Sequence, residues 1–148
     1  MASPRWEHHT LHLGMVVATR EHVVDEIDLF LFSAACALPH RIHYDHQFAR
    51  SEGLRTVPVH GPLQATWLTQ LVSEWANGLG AVLETSTVRH ANPVYPREVL
   101  RASLTVIEVA DASEPNPGVT LRMQLVRADG TLATDGSARV VGRAVVAR

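Results

Sequence analysis

The chain has no lysine; all 13 basic residues are arginine. That excludes Schiff-base catalysis and a lysine-based phosphate loop. It has a single cysteine, Cys36, which excludes an internal disulfide framework and offers no structural zinc box. No apolar run approaches the roughly 20 residues that span a bilayer. Glu7, His8, His9 and His12 precede any apolar run, which is unlike a signal peptide. A soluble, cytoplasmic protein without a membrane partner is the expectation. An excess of either charge is also missing: 15 acidic residues against 13 basic ones leave a net charge of −2, with no long-range attraction for nucleic acid.

What remains is a chain of 148 residues, 46% hydrophobic and 19% charged, which fits one globular domain with a real core. Residues 1–13 read as a loose arm and 14–148 as a single domain, with no repeat and no long linker. Nine histidines are many for this length. Histidine titrates closest to neutrality, so it is the residue type to follow.

Met15 to Val24 is β-branched enough for a strand. Asp25 is placed to cap a short helix carrying Ile27, Phe30, Leu31, Ala34 and Ala35, which Pro39 cannot continue. His40 to Asp45 reads as extended chain. Asp45 then caps a turn or two through Phe48 and Ala49, ended by Gly53. Gly61-Pro62 opens the strongest element, since proline suits the first helical position. Leu63, Trp67, Leu68, Leu71, Val72, Trp75 and Leu79 form a broad stripe there, which predicts a helix covered on most sides. Beyond it the period falls from 3.6 to 2. Leu100, Ala102, Leu104 and Val106 alternate with polar residues, as do Val119, Leu121, Met123 and Leu125. Pro115-Asn116-Pro117-Gly118 separates these runs, and Asp129-Gly130 turns the chain into Thr131–Val141. Strands clustered after one central helix predict an α+β fold with an antiparallel meander.

The chemistry-bearing residues concentrate between Cys36 and Gly61. Two blocks stand out: His40-Arg41-Ile42-His43-Tyr44-Asp45, preceded by Phe32-Ser33-Ala34, and Val59-His60-Gly61-Pro62-Leu63. In order and spacing they resemble the MaoC-like hydratases and dehydratases, which act on acyl thioesters. The nearest branch is that of mesaconyl-CoA hydratases and mitochondrial-type 3-hydroxyacyl-thioester dehydratases. The resemblance implies a single hotdog fold, in which a curved, mainly antiparallel sheet wraps one long helix. It implies hydration or dehydration of an enoyl or 3-hydroxyacyl group on coenzyme A or an acyl carrier protein. It places the catalytic histidine on His43. It also implies a second hotdog unit, from another copy or a separate chain, with no cofactor and no metal.

The residue types suit that chemistry. A base must move the C2 proton or activate water, and the thioester oxygen must be stabilised as it gains charge. Gly61 at a helix start offers an amide for that oxygen, because Pro62 after it donates nothing. Leu38, His40, Arg41 and His60 are the candidate substrate contacts; Arg41 suits a phosphate of coenzyme A or of a pantetheine arm, or else a surface ion pair. Asp45 reads as an N-cap, Tyr44 as a packing residue and Cys36 as a small buried hydrophobe. In an extended segment His40 and His43 face opposite sides, which argues against a metal site with His46. One departure stands out. The family pairs its histidine with an aspartate five residues earlier, asparagine in the nearest branch, and this chain has Leu38. Either His43 acts alone, or His40, Cys36, Asp45 or His60 substitutes, or the site does other chemistry: isomerisation, cyclisation or thioester hydrolysis. A non-catalytic subunit of a heteromeric dehydratase is the non-enzymatic alternative.

Overall fold

The computed structural model describes residues 10–110 and 116–142. Most of the expected arm, Pro115 of the expected turn and the chain from 143 onward lie outside the described residues. Strand β1 (Val16–His22) leads into helix α1 (Glu26–Ala35), then short α2 (His46–Ser51) and long α3 (Gly61–Gly78). Four strands follow: β2 (Ala81–His90), β3 (Leu100–Val109), β4 (Gly118–Arg127) and β5 (Leu132–Gly142). They form one antiparallel sheet in the order β1-β3-β4-β5-β2.

Helix α3 touches all five strands. Five strands span about 19 Å while a helix is about 10 Å across, so the sheet has to curl around it. Irregular registers in β1, β2, β3 and β4 provide local bends. This is the expected hotdog architecture. No helix among the described residues is long and apolar enough to cross a membrane.

The meander was legible because its alternation is real. Ala102, Leu104 and Val106 of β3 and Leu121, Met123 and Leu125 of β4 are all buried, and their polar neighbours face outward. Strand β2 had no expectation attached to it. Its middle, Glu84-Thr85-Ser86-Thr87, is polar and exposed, so it lacks the pattern of a half-buried strand.

Two corrections concern the helices. The buried face of α3 is Gln64, Leu68, Leu71, Val72 and Ala76, so Leu68, Leu71 and Val72 of the expected stripe are buried and Gln64 and Ala76 complete the face. Leu63, Trp67 and Trp75 flank it half-buried, and Pro62, Thr66, Gln70 and Glu74 face solvent. Small Ala76 allows the sheet to approach, whereas an indole there would wedge it away. Secondly, residues 41–43 are not extended. They form a single 3-10 turn, Arg41–His43, capped by the His40 side chain.

Candidate active site

Helix α1 starts on a capping box. Asp25 Oδ1 accepts from the amides of Ile27 and Asp28, and Asp28 Oδ2 accepts from the Asp25 amide. The helix is apolar, yet it buries only Leu29 and Ser33. Ile27, Phe30 and Leu31 remain exposed. Cys36 ends the helix and is exposed, against the expectation of a buried hydrophobe. Ala37 then takes a left-handed φ of 51° that throws the chain out and back.

That return places the 3-10 turn. His40 Nδ1 accepts from the Ile42 amide at 3.3 Å. Arg41 pairs with Asp45 at 2.7 Å and lies over the Phe48 ring. Asp45 Oδ1 accepts from the Phe48 amide at 2.9 Å, as an N-cap does. The Phe48 amide and the Arg41 guanidinium hold the Asp45 carboxyl below the usual carboxylate range. Both ends of the segment are thus tied down, and His43 projects from its middle.

His43 Nδ1 lies 2.8 Å from Pro58 O. A carbonyl only accepts, so Nδ1 carries the proton and Nε2 of the neutral ring holds a free lone pair. The His43 ring stacks on His60 with centroids 3.7 Å apart and planes 21° from parallel. Burial pushes the His43 imidazole below its ordinary value; the Pro58 carbonyl opposes that shift and the charge of His40 adds to it. His43 is therefore a neutral, oriented base at neutral pH.

His60 is fixed in turn. It is 1% exposed, and its Nε2 lies 2.8 Å from Ser33 Oγ. The Phe32 ring tilts against it at 5.0 Å. Its Nδ1 is buried without a partner. Burial, with the charge of neighbouring His43, pushes its pKa down to about 4. His60 is thus a wall behind His43 instead of the expected substrate contact, because a ring this buried leaves no face for a ligand.

Gly61 begins α3 directly after His60. Its amide is the first of the helix and has no carbonyl within the helix to bond. A Cβ at Gly61 would lie 2.8 Å from His90 Nε2 and would have to displace that ring. A cleft of about 370 Å³ opens at this point, lined by Val59, Gly61, Gln64, His90, Asn92 and Pro93. A second cleft of about 420 Å³ runs between α1 and α3, with His22, Asp28, Leu31, Phe32, Leu63 and Trp67 in its wall. Phe32 belongs to this cleft and also touches His60.

The structure thus brings His43, His60 and Gly61 together. Leu38 is 37% exposed and donates its amide to Ser33 O. His40 lies next to His43, ring centroids 6.4 Å apart, not on an opposite side as extended chain would put it. Arg41 is exposed and already paired with Asp45. His46 is engaged by Thr56 and Glu26 on another side. Among the described residues no cluster of His, Cys, Asp and Glu is arranged to hold a metal ion. Sequence reasoning gave no role to Ser33, Pro58, Gln64, Thr134 or His90. Ser33 had a signal, a hydroxyl inside an apolar helix; Pro58, Thr134 and His90 meet the site only through long-range contacts.

Comparisons with known proteins bear on the family and the fold. The profile of the family described as hydroxyacyl-thioester dehydratase type 2 matches residues 9–96. No curated protein matches the chain. Among solved structures, an R-hydratase from Pseudomonas aeruginosa is 22% identical with a TM-score of 0.78, covering 93% of this chain and 86% of its own. A MaoC-like dehydratase from Rhodospirillum rubrum is 21% identical with a TM-score of 0.77, covering 93% and 97%. A chain of the ChsH1–ChsH2 complex from Mycobacterium tuberculosis is 18% identical with a TM-score of 0.76, covering 89% and 98%. At such identities the likeness establishes the fold.

Proposed function

The chain belongs to the hydroxyacyl-thioester dehydratase type 2 family, and from that premise we propose that it interconverts 3-hydroxyacyl and enoyl thioesters with His43 as the base. The observation that carries this reading is the 2.8 Å contact from His43 Nδ1 to Pro58 O, which commits one nitrogen and leaves Nε2 free. In the dehydration direction Nε2 takes the C2 proton. The electron pair delocalises onto the thioester oxygen, where the Gly61 amide at the α3 N-terminus donates to it. The C3–O bond then breaks, the departing oxygen takes up a proton and leaves as water, and the enoyl thioester remains with the C2 proton on His43. The Leu31, Phe32, Leu63 and Trp67 wall of the cleft between α1 and α3 suits an acyl chain.

The carrier is coenzyme A or an acyl carrier protein. The His40-to-Asp45 block supports placement near the mesaconyl-CoA hydratase and mitochondrial-type dehydratase branch. Strand β2 is an exposed edge, so a second hotdog chain is its natural cover, a copy of this one or a different chain as in the Mycobacterium tuberculosis complex. Leu38 in place of the family's acid or amide supports a second reading, altered chemistry on the same scaffold.

The test is the ultraviolet absorbance of the conjugated enoyl thioester. A crotonyl thioester with the wild-type protein should lose the band as water adds. His43→Ala should slow this by about 10²–10⁴-fold with the fold intact. Equal rates in both proteins would place the chemistry elsewhere.

A further inference from the structure

A chain of hydrogen bonds runs from the core of the domain to the α3 N-terminus. Gln64 Nε2 donates to Val59 O at 3.3 Å. Thr134 Oγ1 donates to Gln64 Oε1 at 2.7 Å. His90 Nδ1 lies 3.1 Å from Thr134 Oγ1. Gln64 and Thr134 are both buried, at 3% and 0% exposure. The only hydroxyl proton of Thr134 goes to Gln64, so towards His90 the oxygen can only accept. His90 Nδ1 therefore carries a proton in the neutral and the charged ring alike. Proton exchange at His90 is confined to Nε2.

That nitrogen stands 2.8 Å from the place a Gly61 Cβ would occupy. Standard backbone dimensions put it within about 5 Å of the Gly61 amide nitrogen. It also lines the 370 Å³ cleft that opens there. Among the described histidines only His90 lines this cleft. His60 is buried with Nε2 against Ser33, His46 spends both nitrogens, and His22 stacks on Trp67. Leu38 stands where the family carries an acid or amide and offers no second proton-transfer group.

We propose that His90 is that group, acting from the far end of β2 on the C3 hydroxyl while His43 acts on C2; the assignment rests on the thioester reading above. In dehydration His43 Nε2 takes the C2 proton and the C2–H electron pair passes into the enolate. As the enolate collapses to C2=C3, the C3–O bond breaks and the departing oxygen takes its proton from His90 Nε2, leaving as water. His43 ends charged and His90 neutral, and exchange with solvent restores both. Hydration runs the same steps in reverse. Beside the His90–Thr134 pair the register partners are Arg89 and Asp135, both charged. Gln64 and Gly61 on α3 bring no charge.

The test compares wild type, His90→Gln and His90→Gly on a crotonyl thioester, with thermal unfolding to establish that each is folded. His90 is exposed, so neither change opens the core. His90→Gln should lose about 10²–10⁴-fold in kcat, and added imidazole should restore His90→Gly saturably, since the cleft has room for it. A wild-type kcat in His90→Gln, beside a loss in His43→Ala, overturns the assignment and leaves the thioester reading standing. A loss confined to KM without imidazole rescue makes His90 a binding residue and also overturns it. A wild-type protein that turns over no enoyl or 3-hydroxyacyl thioester removes both proposals together.

Discussion

The His43–His60 stack makes the fold sensitive to acid, by an amount that follows from one buried ring. An unfolded chain protonates His60 near its ordinary value of about 6.5. In the fold that value falls to about 4, because the ring is buried and faces His43. Between these two values unfolding takes up a proton, so stability is complete above about pH 6.5 and declines as the pH falls towards 4. The slope approaches about 1.4 kcal/mol per pH unit, and the whole effect is roughly 3 kcal/mol. Burial also lowers His43 and His22, so these rings add loss in the same direction. The contribution of His60 is isolated with His60→Leu, which has no proton to gain. Urea unfolding of both proteins at pH 7, 6, 5 and 4.5 would be followed by tryptophan fluorescence. The variant should start less stable, because Ser33 loses its partner, but its stability should fall less steeply with acid. Parallel slopes for the two proteins would refute the reasoning and mean that His60 is not the buried, neutral ring described.

Ser33→Ala removes the hydrogen bond that His60 has, leaving a second nitrogen of that ring unpaired. The expected cost is about 1–3 kcal/mol, read as a fall of several degrees in the melting temperature. Gly61→Ala must displace the His90 ring, because the new methyl would lie 2.8 Å from Nε2; a loss on the order of 10²-fold in kcat/KM is expected, with the melting temperature changed far less. Leu38→Asp should fold as well as the wild type, within about 0.5 kcal/mol, because Leu38 is more than one-third exposed. Its enoyl hydration should not rise, and a clear gain in rate would show that the missing family partner limits this enzyme.

The sequence carried much of the fold because the strongest elements owe their form to local patterns. Gly61-Pro62, the Asp25 and Asp45 caps and the Asp129-Gly130 turn all act within a few residues, and each appears where expected. Strand β2 was silent because an exposed edge need not alternate. Of the α3 stripe Leu68, Leu71 and Val72 are buried, whereas Leu63, Trp67 and Trp75 only flank the core, and Gln64 and Ala76, which add little to a hydrophobicity pattern, complete the buried face. The site was half legible. His43 and Gly61 sit in blocks with a recognisable order. The roles of Ser33, Pro58 and His90 depend on contacts spanning 15 to 44 residues of chain, and no local spacing reports such contacts. The 3-10 turn escaped because its cap is a histidine, a residue type that seldom signals a helix start.

The most direct measurement is a crystal structure with a saturated acyl thioester of coenzyme A, which binds without reacting. The account predicts its carbonyl oxygen about 2.7–3.1 Å from the Gly61 amide nitrogen, C2 facing His43 Nε2 and the acyl chain between α1 and α3. A thioester seated away from both Gly61 and His43, in a crystal of active protein, would contradict it.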